Sequence, residues 1–155
     1  SNCPLEWIEF HVAEWKNEGG LEKEAATCAS LAEAAMANGK TAVVYTSRTV
    51  IDLSDQTPEQ LLAISVRISD ALTSVVSRLA KRPRFLIAKG GITSSDVGTI
   101  ALAVKKARVL GQVQPGIPVW KIGEESRFPG MSYIIFPGNV GDEDTLRKIV
   151  EVLNR

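Results

Sequence analysis

Two segments of this sequence place glycines directly after a short apolar run and just before a predicted helix start. They cover residues 85–96 and 133–142, and their glycines are Gly90, Gly91, Gly138 and Gly141. Glycine lets backbone N–H groups approach a ligand closely, and the first turn of a helix offers unpaired donors at the positive end of its dipole. Because this combination binds phosphate, two such segments on strands that can lie side by side indicate a nucleotide site.

Polar side chains near these glycines allow more than one interpretation. Thr93 and Ser94 carry hydroxyls that can donate to phosphate, but hydroxyl residues at a helix start are also ordinary N-caps. Asp96 is expected in the first turn of a helix over residues 95–106, where the helix dipole favours a carboxylate. The acidic residues 142–144 have the composition of a metal cluster, yet acidic residues that head a helix usually cap it. We therefore predict no metal-binding residue in this chain.

Other catalytic and nucleotide motifs are missing from the sequence. It contains neither the Gly-x-x-x-x-Gly-Lys-Ser/Thr phosphate loop nor a clean Gly-x-Gly-x-x-Gly dinucleotide fingerprint. His11 is the sole histidine, and no Ser-His-Asp set can be assembled convincingly from it. Cys28 falls in an alanine-rich stretch, where a buried and inert thiol is expected, and Cys3 is its only counterpart. Two cysteines are too few for a disulfide framework.

The composition is that of one domain without a nucleic-acid or membrane signal. Of the 155 residues, 45% are hydrophobic and 23% are charged, and Lys plus Arg equals Asp plus Glu at 18 each. That balance leaves no basic field for nucleic acid. No apolar run approaches the roughly 20 residues that span a bilayer, and no signal peptide is visible. We predict a single cytoplasmic domain over residues 1–155, and the abrupt start at Ser1-Asn2 suggests a fragment of a longer polypeptide.

Strand-like and helix-like patterns alternate along the chain. The predicted strands cover residues 5–12, 41–46, 84–88, 109–113, 117–122 and 132–136. The predicted helices cover residues 21–38, 57–82, 95–106 and 142–153. Trp7 and Ile8 are the expected apolar anchors of the first strand, a capping box with proline starts the second helix at Thr57, and Pro83 is expected to end that helix. Residues 114–116 fit a type II turn between two hairpin strands.

This alternation predicts an α/β fold. We expect a three-layer sandwich with a mostly parallel sheet and helices on both faces, plus a β-hairpin. Such sheets bind ligands beyond the carboxyl ends of their strands. Ser47, Gly90 and Gly138 all follow such an end directly, so the predicted architecture and the glycine segments point to the same region.

Four segments, in this order along the chain, resemble a known family. Residues 45–48, 90–96, 114–120 and 136–144 together resemble the C-terminal, nucleotide-binding domain of the four-carbon acid sugar kinases, and the resemblance covers nearly the whole chain. It implies a two-domain enzyme whose N-terminal domain binds a threonate, erythronate or oxo-tetronate, while the C-terminal domain binds ATP. It implies phosphorylation of the sugar's terminal hydroxyl, with Mg²⁺ offsetting charge. This domain would be inactive alone, and its partner would be the N-terminal sugar-binding domain of the same polypeptide.

The resemblance also gives individual residues a role in nucleotide binding. The matching residues are Ser47, Arg48, Gly90, Gly91, Thr93, Ser94, Gly138, Asn139 and Gly141. Those of the first loop would hold phosphates, and those of the second would lie near the adenosine or the phosphates. Two departures stand out: Phe136-Pro137 replaces a Lys-Ser of many members, and the family's opening strand would precede Pro4. No catalytic residue is expected here, because the family's acidic residue belongs to the sugar-binding domain.

Two further hypotheses come from different functional classes. A non-catalytic protein-interaction module would retain the fold, and relatives of the family have been labelled as virulence-associated, Hrp-dependent type III effectors. That module would bind a partner protein without nucleotide dependence. A dinucleotide-dependent oxidoreductase is disfavoured because the fingerprint glycines and their acidic partner are missing. The sequence leaves open which acid sugar is the substrate and whether the chain forms a homo-oligomer.

Overall fold

Helices and strands mix throughout the computed structural model, which describes residues 4–48 and 53–155. The predicted α/β class is thereby confirmed. The described chain divides into two units, residues 4–80 and residues 81–155. Within these described ranges, no helix is both long enough and apolar enough to cross a bilayer.

Residues 4–80 contain two parallel strands connected by a helix. β1 (Leu5–Phe10) and β2 (Thr41–Thr46) pair in register from Leu5 opposite Thr41 to Phe10 opposite Thr46. α1 (Gly20–Ala37) packs against both strands through a face of mostly small buried residues, namely Leu21, Ala25, Cys28, Ala29, Ala32 and Ala35. Burial raises the pKa of the Cys28 thiol to about 11, so this thiol stays protonated and inert, as predicted.

The second helix of this unit, α2 (Pro58–Ser77), begins with the predicted capping box. The Gln60 N–H donates to the Thr57 hydroxyl at 3.2 Å, and the Thr57 N–H donates to the Gln60 side chain at 2.9 Å. The sequence predicted that this helix continues to residue 82, next to Pro83, but the helix ends at Ser77. Beyond it, the Leu79 N–H donates to the Val76 carbonyl at 3.2 Å and forms a tighter turn.

The first strand is shorter than predicted, and one of its two anchors is exposed. β1 ends at Phe10, and Val12–Lys16 form a 3-10 helix. Ile8 and Phe10 are buried, whereas Trp7 is 63% exposed and meets Tyr45 edge-on, with 6.1 Å between the ring centroids. Successive side chains of a strand point to opposite faces, so only one face of β1 reaches α1. The anchor role predicted for Trp7 is therefore wrong.

The sole histidine links the end of β1 to α1 through Glu24. The Glu24 carboxylate accepts from the His11 backbone N–H at 2.9 Å and lies 2.6 Å from the ring atom Nδ1. Glu9 faces the other ring nitrogen at 3.3 Å. The hydrogen bond to Glu24 raises the pKa of His11 above its ordinary value of 6.5, with the nearby charges of Glu24, Glu9 and Glu14 adding to the effect. His11 thus has a structural role, because it joins the end of β1 to α1.

This contact predicts a pH dependence of stability. Because the pKa of His11 is raised in the folded state, its stabilising contribution is complete below pH 6.5 and is lost as the pH rises through the raised value. We expect the free energy of unfolding of the wild type to fall, relative to that of His11→Gln, over the window just above pH 6.5. Urea unfolding of both proteins at several pH values measures the difference. A constant difference across that window would contradict the prediction.

Residues 81–155 form a mixed four-stranded sheet. Its strands are β3 (Phe85–Lys89), β4 (Ala107–Gln114), β5 (Ile117–Ile122) and β6 (Ser132–Phe136), in the order β3-β6-β5-β4. β3 and β6 are parallel, and the other two pairs are antiparallel. The predicted hairpin is confirmed, and Gly116 at its turn has φ 79°, as a type II turn requires. α4 (Thr145–Leu153) packs on the sheet through Ile149, within a core that includes Ile134 and Phe136.

The helix predicted over residues 95–106 begins and ends earlier than expected. α3 (Gly91–Asp96) starts directly after Gly90, and Val97–Ala101 continue it as a π-helix. The Ser94 N–H already donates to the Gly90 carbonyl at 2.9 Å, so the helical ladder begins at the glycines themselves. Asp96 is therefore the last residue of α3, and its predicted place in the first turn is wrong.

Candidate functional site

The two glycine segments meet at one edge of the sheet of residues 81–155. β3 and β6 run parallel with Lys89 opposite Phe136, so both strands end at the same edge. The Gly90 N–H donates to the Phe136 carbonyl at 2.9 Å. A Cβ built on Gly138 would lie 4.0 Å from the Gly90 Cα. The first glycine loop (residues 90–93) and the second glycine loop (residues 137–141) are therefore neighbours in contact.

Backbone donors of both loops lack an acceptor within the described part of the chain. In the first loop, the N–H groups of Gly91, Ile92 and Thr93 precede the first helical bond, which Ser94 makes to Gly90 at 2.9 Å. In the second, a turn from the Val140 N–H to the Pro137 carbonyl, at 3.4 Å, encloses Gly138 and Asn139, whose own N–H groups bond to no described residue. Unpaired amides at a helix start are ready donors to an anion.

The glycines leave open space around these amides. Gly90 has φ 101° and ψ 147°, a conformation that a residue with a side chain rarely adopts. A Cβ on Gly91 would meet no atom within 4 Å. The absence of a side chain at Gly91 is therefore not required by packing inside the chain, and the space beside its amide is accessible to a ligand.

The hydroxyl of Ser94 is directed inward. Ser94 is buried, and its Oγ donates to the Ala88 carbonyl at 2.9 Å. The Tyr133 hydroxyl in turn donates to the Ser94 carbonyl. Ser94 therefore ties α3 to the sheet, and its single hydroxyl proton is already used. A direct contact of this hydroxyl with phosphate stays a prediction that would require a different rotamer.

Thr93 has the hydroxyl that faces the loop. It is half-buried, and a Cβ built on Gly90 would lie 4.0 Å from its Oγ1. Unlike Ser94, Thr93 makes no side-chain hydrogen bond to another described residue. Its hydroxyl can thus add a donor beside the three amides of the first loop.

The second loop is locked to the start of α4 by Thr145. Gly141 has φ 83°, and a Cβ there would lie 2.6 Å from the Thr145 Oγ1, so only glycine fits. The Thr145 hydroxyl accepts the Asp142 N–H at 2.8 Å and donates to the Asp142 carboxylate at 2.9 Å. That hydrogen bond, followed by the charge of Lys148, lowers the pKa of Asp142. Residues 142–144 thus form a turn, and α4 begins three residues later than predicted because this turn precedes it.

Lys89 places a positive charge at the same edge of the sheet. Lys89 is exposed, directly precedes Gly90, and places its Nζ 5.3 Å from the centre of the Phe136 ring. Its charge is thus available to an anion held by the glycine loops. Among residues 4–48 and 53–155, no three His, Cys, Asp or Glu side chains are grouped closely enough to hold a metal ion by themselves.

Ser47 and Arg48 belong to the other unit, just past the carboxyl end of β2. The Ser47 N–H donates to the Phe10 carbonyl at 2.9 Å, and its hydroxyl accepts the Val12 N–H at 3.1 Å. Arg48 is exposed and is the last residue described before the gap at 49–52. Their role in nucleotide binding stays a prediction.

Sequence reasoning missed two residues of this site. Ile92 contributes only its amide, and its side chain is 75% exposed, so no residue type could have revealed it. Tyr133 anchors α3 from within β6. The signal available was its position: a phenol directly before the apolar residues 134–136 of the strand that leads into the second glycine loop.

The chain is similar to a known family and to several solved structures. A family model described as a nucleotide-binding C-terminal domain matches residues 4–146. A domain of the DUF1537 family from Bordetella bronchiseptica, solved with bound citrate as a domain-swapped dimer, is 16% identical with a TM-score of 0.70, and the match covers 99% of this chain and 35% of that one.

Two further solved structures are similar. A Salmonella typhimurium LT2 protein, solved as a candidate tRNA synthase, is 20% identical with a TM-score of 0.69, covering 94% of this chain and 34% of that one. A DUF1537 protein from Haemophilus influenzae is 23% identical with a TM-score of 0.60, and the match covers 97% of this chain and 35% of that one. At such identities the likeness shows the fold alone, and the chain spans about a third of the length of these proteins. A comparison with curated proteins found no match.

Proposed function

This chain belongs to the family of nucleotide-binding C-terminal domains, and from that membership we propose that its two glycine loops bind the phosphates of ATP. The observation that carries the proposal is the contact between the loops, where a Cβ on Gly138 would lie 4.0 Å from the Gly90 Cα. Because of that contact, the unpaired amides of both loops can converge on one polyphosphate. A triphosphate with several oxygens suits such a paired set better than a single small anion.

The charges at the site fit a polyphosphate that arrives with Mg²⁺. Amides supply directed hydrogen bonds but no net charge, and Lys89 adds one positive charge at the same edge. Mg²⁺ usually keeps several waters and is held by substrate phosphates with one or two carboxylates, so a three-residue protein cluster is not required. When bound, Mg²⁺ would supply the remaining charge neutralisation. Thr93 would donate its hydroxyl to the phosphates, and Ser94 would hold the helix that presents the amides.

We further propose that the reaction served is phosphorylation of a four-carbon acid sugar. The four segments that resemble that kinase family support the proposal, as does the similarity in fold to DUF1537 proteins about three times as long as this chain. Phosphoryl transfer depends mostly on positioning and charge neutralisation, so a nucleotide domain need supply little else. In this proposal an N-terminal sugar-binding domain of the same polypeptide brings the acceptor hydroxyl and the catalytic acidic residue.

Calorimetric titration with Mg·ATP tests the nucleotide site directly. We expect saturable binding by the wild-type chain, with inorganic tripolyphosphate competing for the same site. Lys89→Gln should weaken binding by about two- to fivefold at low salt, as an exposed charge contributes about 0.5–1 kcal/mol, and the loss should shrink as salt is added.

Lys121→Gln is the matched control for that variant. Lys121 is exposed and lies opposite Ser132, at the amino end of β6, far along the strand from the glycine loops. The Lys121→Gln variant should bind Mg·ATP like the wild type. Absence of saturable binding by the wild type up to millimolar Mg·ATP would overturn the proposed site. Capture of a partner protein without nucleotide dependence would instead favour an interaction module.

A further inference from the structure

We infer that Tyr133 is a positioning residue of the first glycine loop: its buried hydroxyl fixes the turn of α3 whose amides face the ligand. The inference rests on the proposed function, because it assigns Tyr133 a role in presenting those amides to phosphate. Tyr133 is the second residue of β6 and lies outside both glycine loops. Its side chain contacts α3 on the face of the helix that packs on the sheet.

The geometry around Tyr133 is closely packed. Its side chain is 4% exposed, and the hydroxyl donates to the carbonyl of Ser94. A Cβ built on Gly98 would lie 3.3 Å from the ring atom Cε1, so the helix backbone passes directly over the ring. Burial raises the pKa of Tyr133, so the phenol stays protonated and remains a donor at neutral pH.

Ser94 makes two hydrogen bonds to the sheet, one with each strand of the parallel pair. Its hydroxyl donates to Ala88 in β3 at 2.9 Å, and its carbonyl accepts from Tyr133 in β6. Its own N–H closes the first helical bond to the Gly90 carbonyl at 2.9 Å. One residue thus joins the first turn of α3 to both strands, and the amides of Gly91, Ile92 and Thr93 belong to that turn.

The helix changes its course just after the residue that the Tyr133 hydroxyl contacts. The Ser94 carbonyl already accepts the Val97 N–H, and the hydroxyl adds a second donor to it. From Val97 the helix widens into π-turns, and the Leu102 N–H donates back to the Val97 carbonyl at 2.9 Å. The Tyr133 hydroxyl therefore holds the last α-helical turn at the Ser94 carbonyl, three residues before the π-turns begin.

Fixing this turn in advance matters for anion binding. Hydrogen-bond donors that are already oriented need no ordering when the ligand arrives, so the free-energy cost of binding is smaller. Without the Tyr133 hydroxyl, the turn would keep the Ser94–Ala88 bond and the Gly90–Phe136 bond but lose the bond that holds the Ser94 carbonyl to β6. The amides would still be present, but their directions would vary.

Tyr133→Phe removes the hydroxyl and keeps the ring. We expect the dissociation constants for Mg·ATP and for inorganic tripolyphosphate to rise by about fivefold each, the effect of one lost buried hydrogen bond. Without ligand, hydrogen exchange of the Ser94 and Val97 amides should accelerate by about tenfold relative to amides of α4. Thermal melts establish that the variant is folded. Ser94→Ala, which removes the tie to β3 alone, serves as the second variant and should show losses in the same two measurements.

Ile149→Val is the control for a general loss of stability. Ile149 is fully buried on α4, and the substitution removes one methyl group from the core of the same unit. It should lower the melting temperature without changing either dissociation constant. Unchanged affinity in Tyr133→Phe, with wild-type binding intact, overturns the role of Tyr133 alone. Wild-type protein that binds neither probe overturns the proposed function and this role with it.

Discussion

Gly138→Val is expected to weaken Mg·ATP binding about 100-fold while leaving the free energy of unfolding nearly unchanged. Gly138 is exposed, its φ lies outside the left-handed region, and an added Cβ would be in ordinary contact with the Gly90 Cα at 4.0 Å. The side chain would therefore fit the folded chain but occupy the space between the two glycine loops. Loss of two amide–phosphate hydrogen bonds, at about 1.5 kcal/mol each, corresponds to roughly that factor.

A smaller substitution at Gly138, and a valine introduced far from the glycine loops, make this test specific. Gly138→Ala adds only the Cβ, and it should give an intermediate loss of affinity by calorimetric titration. Glu124→Val introduces an exposed valine in the loop of residues 123–131, which lies at the amino end of β6 and so at the opposite edge of the sheet. It should bind Mg·ATP like the wild type. Wild-type affinity in Gly138→Val would show that no ligand enters between the loops.

Local sequence signals were sufficient for several elements. The capping box at Thr57 and Gln60 determines the start of α2 through hydrogen bonds three residues apart, so it could be predicted without tertiary information. The same holds for the hairpin turn at Pro115-Gly116, because proline and glycine there satisfy backbone angles of one specific turn. The strands over 41–46 and 132–136 were predicted with their bounds because their apolar runs are continuous and end at polar or turn-forming residues.

Tertiary packing determines which residue of β1 is buried, where α3 begins and which strands pair, and the sequence pattern leaves these features open. Trp7 and Ile8 are both apolar, and which of them is buried depends on the face of β1 that α1 covers. The start of α3 was missed because Gly90 and Gly91 are typical of a turn, whereas Gly90 here opens a helix through its positive φ. The pairing of Lys89 with Phe136 brings the glycine loops together, and it depends on a strand order that no local pattern encodes.

For the candidate site, residue type alone did not separate ligands from supports. Thr93 and Ser94 are adjacent hydroxyl residues, and the sequence offers the same two interpretations for both. The fold separates them: the Ser94 hydroxyl donates to Ala88 at 2.9 Å, whereas the Thr93 Oγ1 lies toward Gly90. The distinction follows from which face of α3 packs on the sheet, and Tyr133 on β6 marks that face.

Gly90→Ala and Gly91→Ala, at adjacent positions, are expected to change stability in opposite directions. Gly90 has φ 101°, so alanine there should lower the free energy of unfolding by about 1–3 kcal/mol, the usual cost of a strained backbone conformation. Gly91 has no left-handed φ and no atom within 4 Å of an added Cβ. Alanine at this first helical position should raise the free energy of unfolding by about 0.4–1 kcal/mol, because it restricts the unfolded chain.

Their effects on Mg·ATP affinity should nevertheless agree in sign. Both substitutions place a methyl group beside the amides of the first glycine loop, so both should weaken binding, Gly91→Ala by about tenfold. Urea unfolding and calorimetric titration of the same two variants provide the four values needed. Ser95→Ala, on an exposed position of α3, controls for alanine in the helix and should leave affinity unchanged. A more stable Gly91→Ala that binds Mg·ATP as well as the wild type would mean that the bare backbone of this loop serves only the turn, and the phosphate contact would have to be made elsewhere.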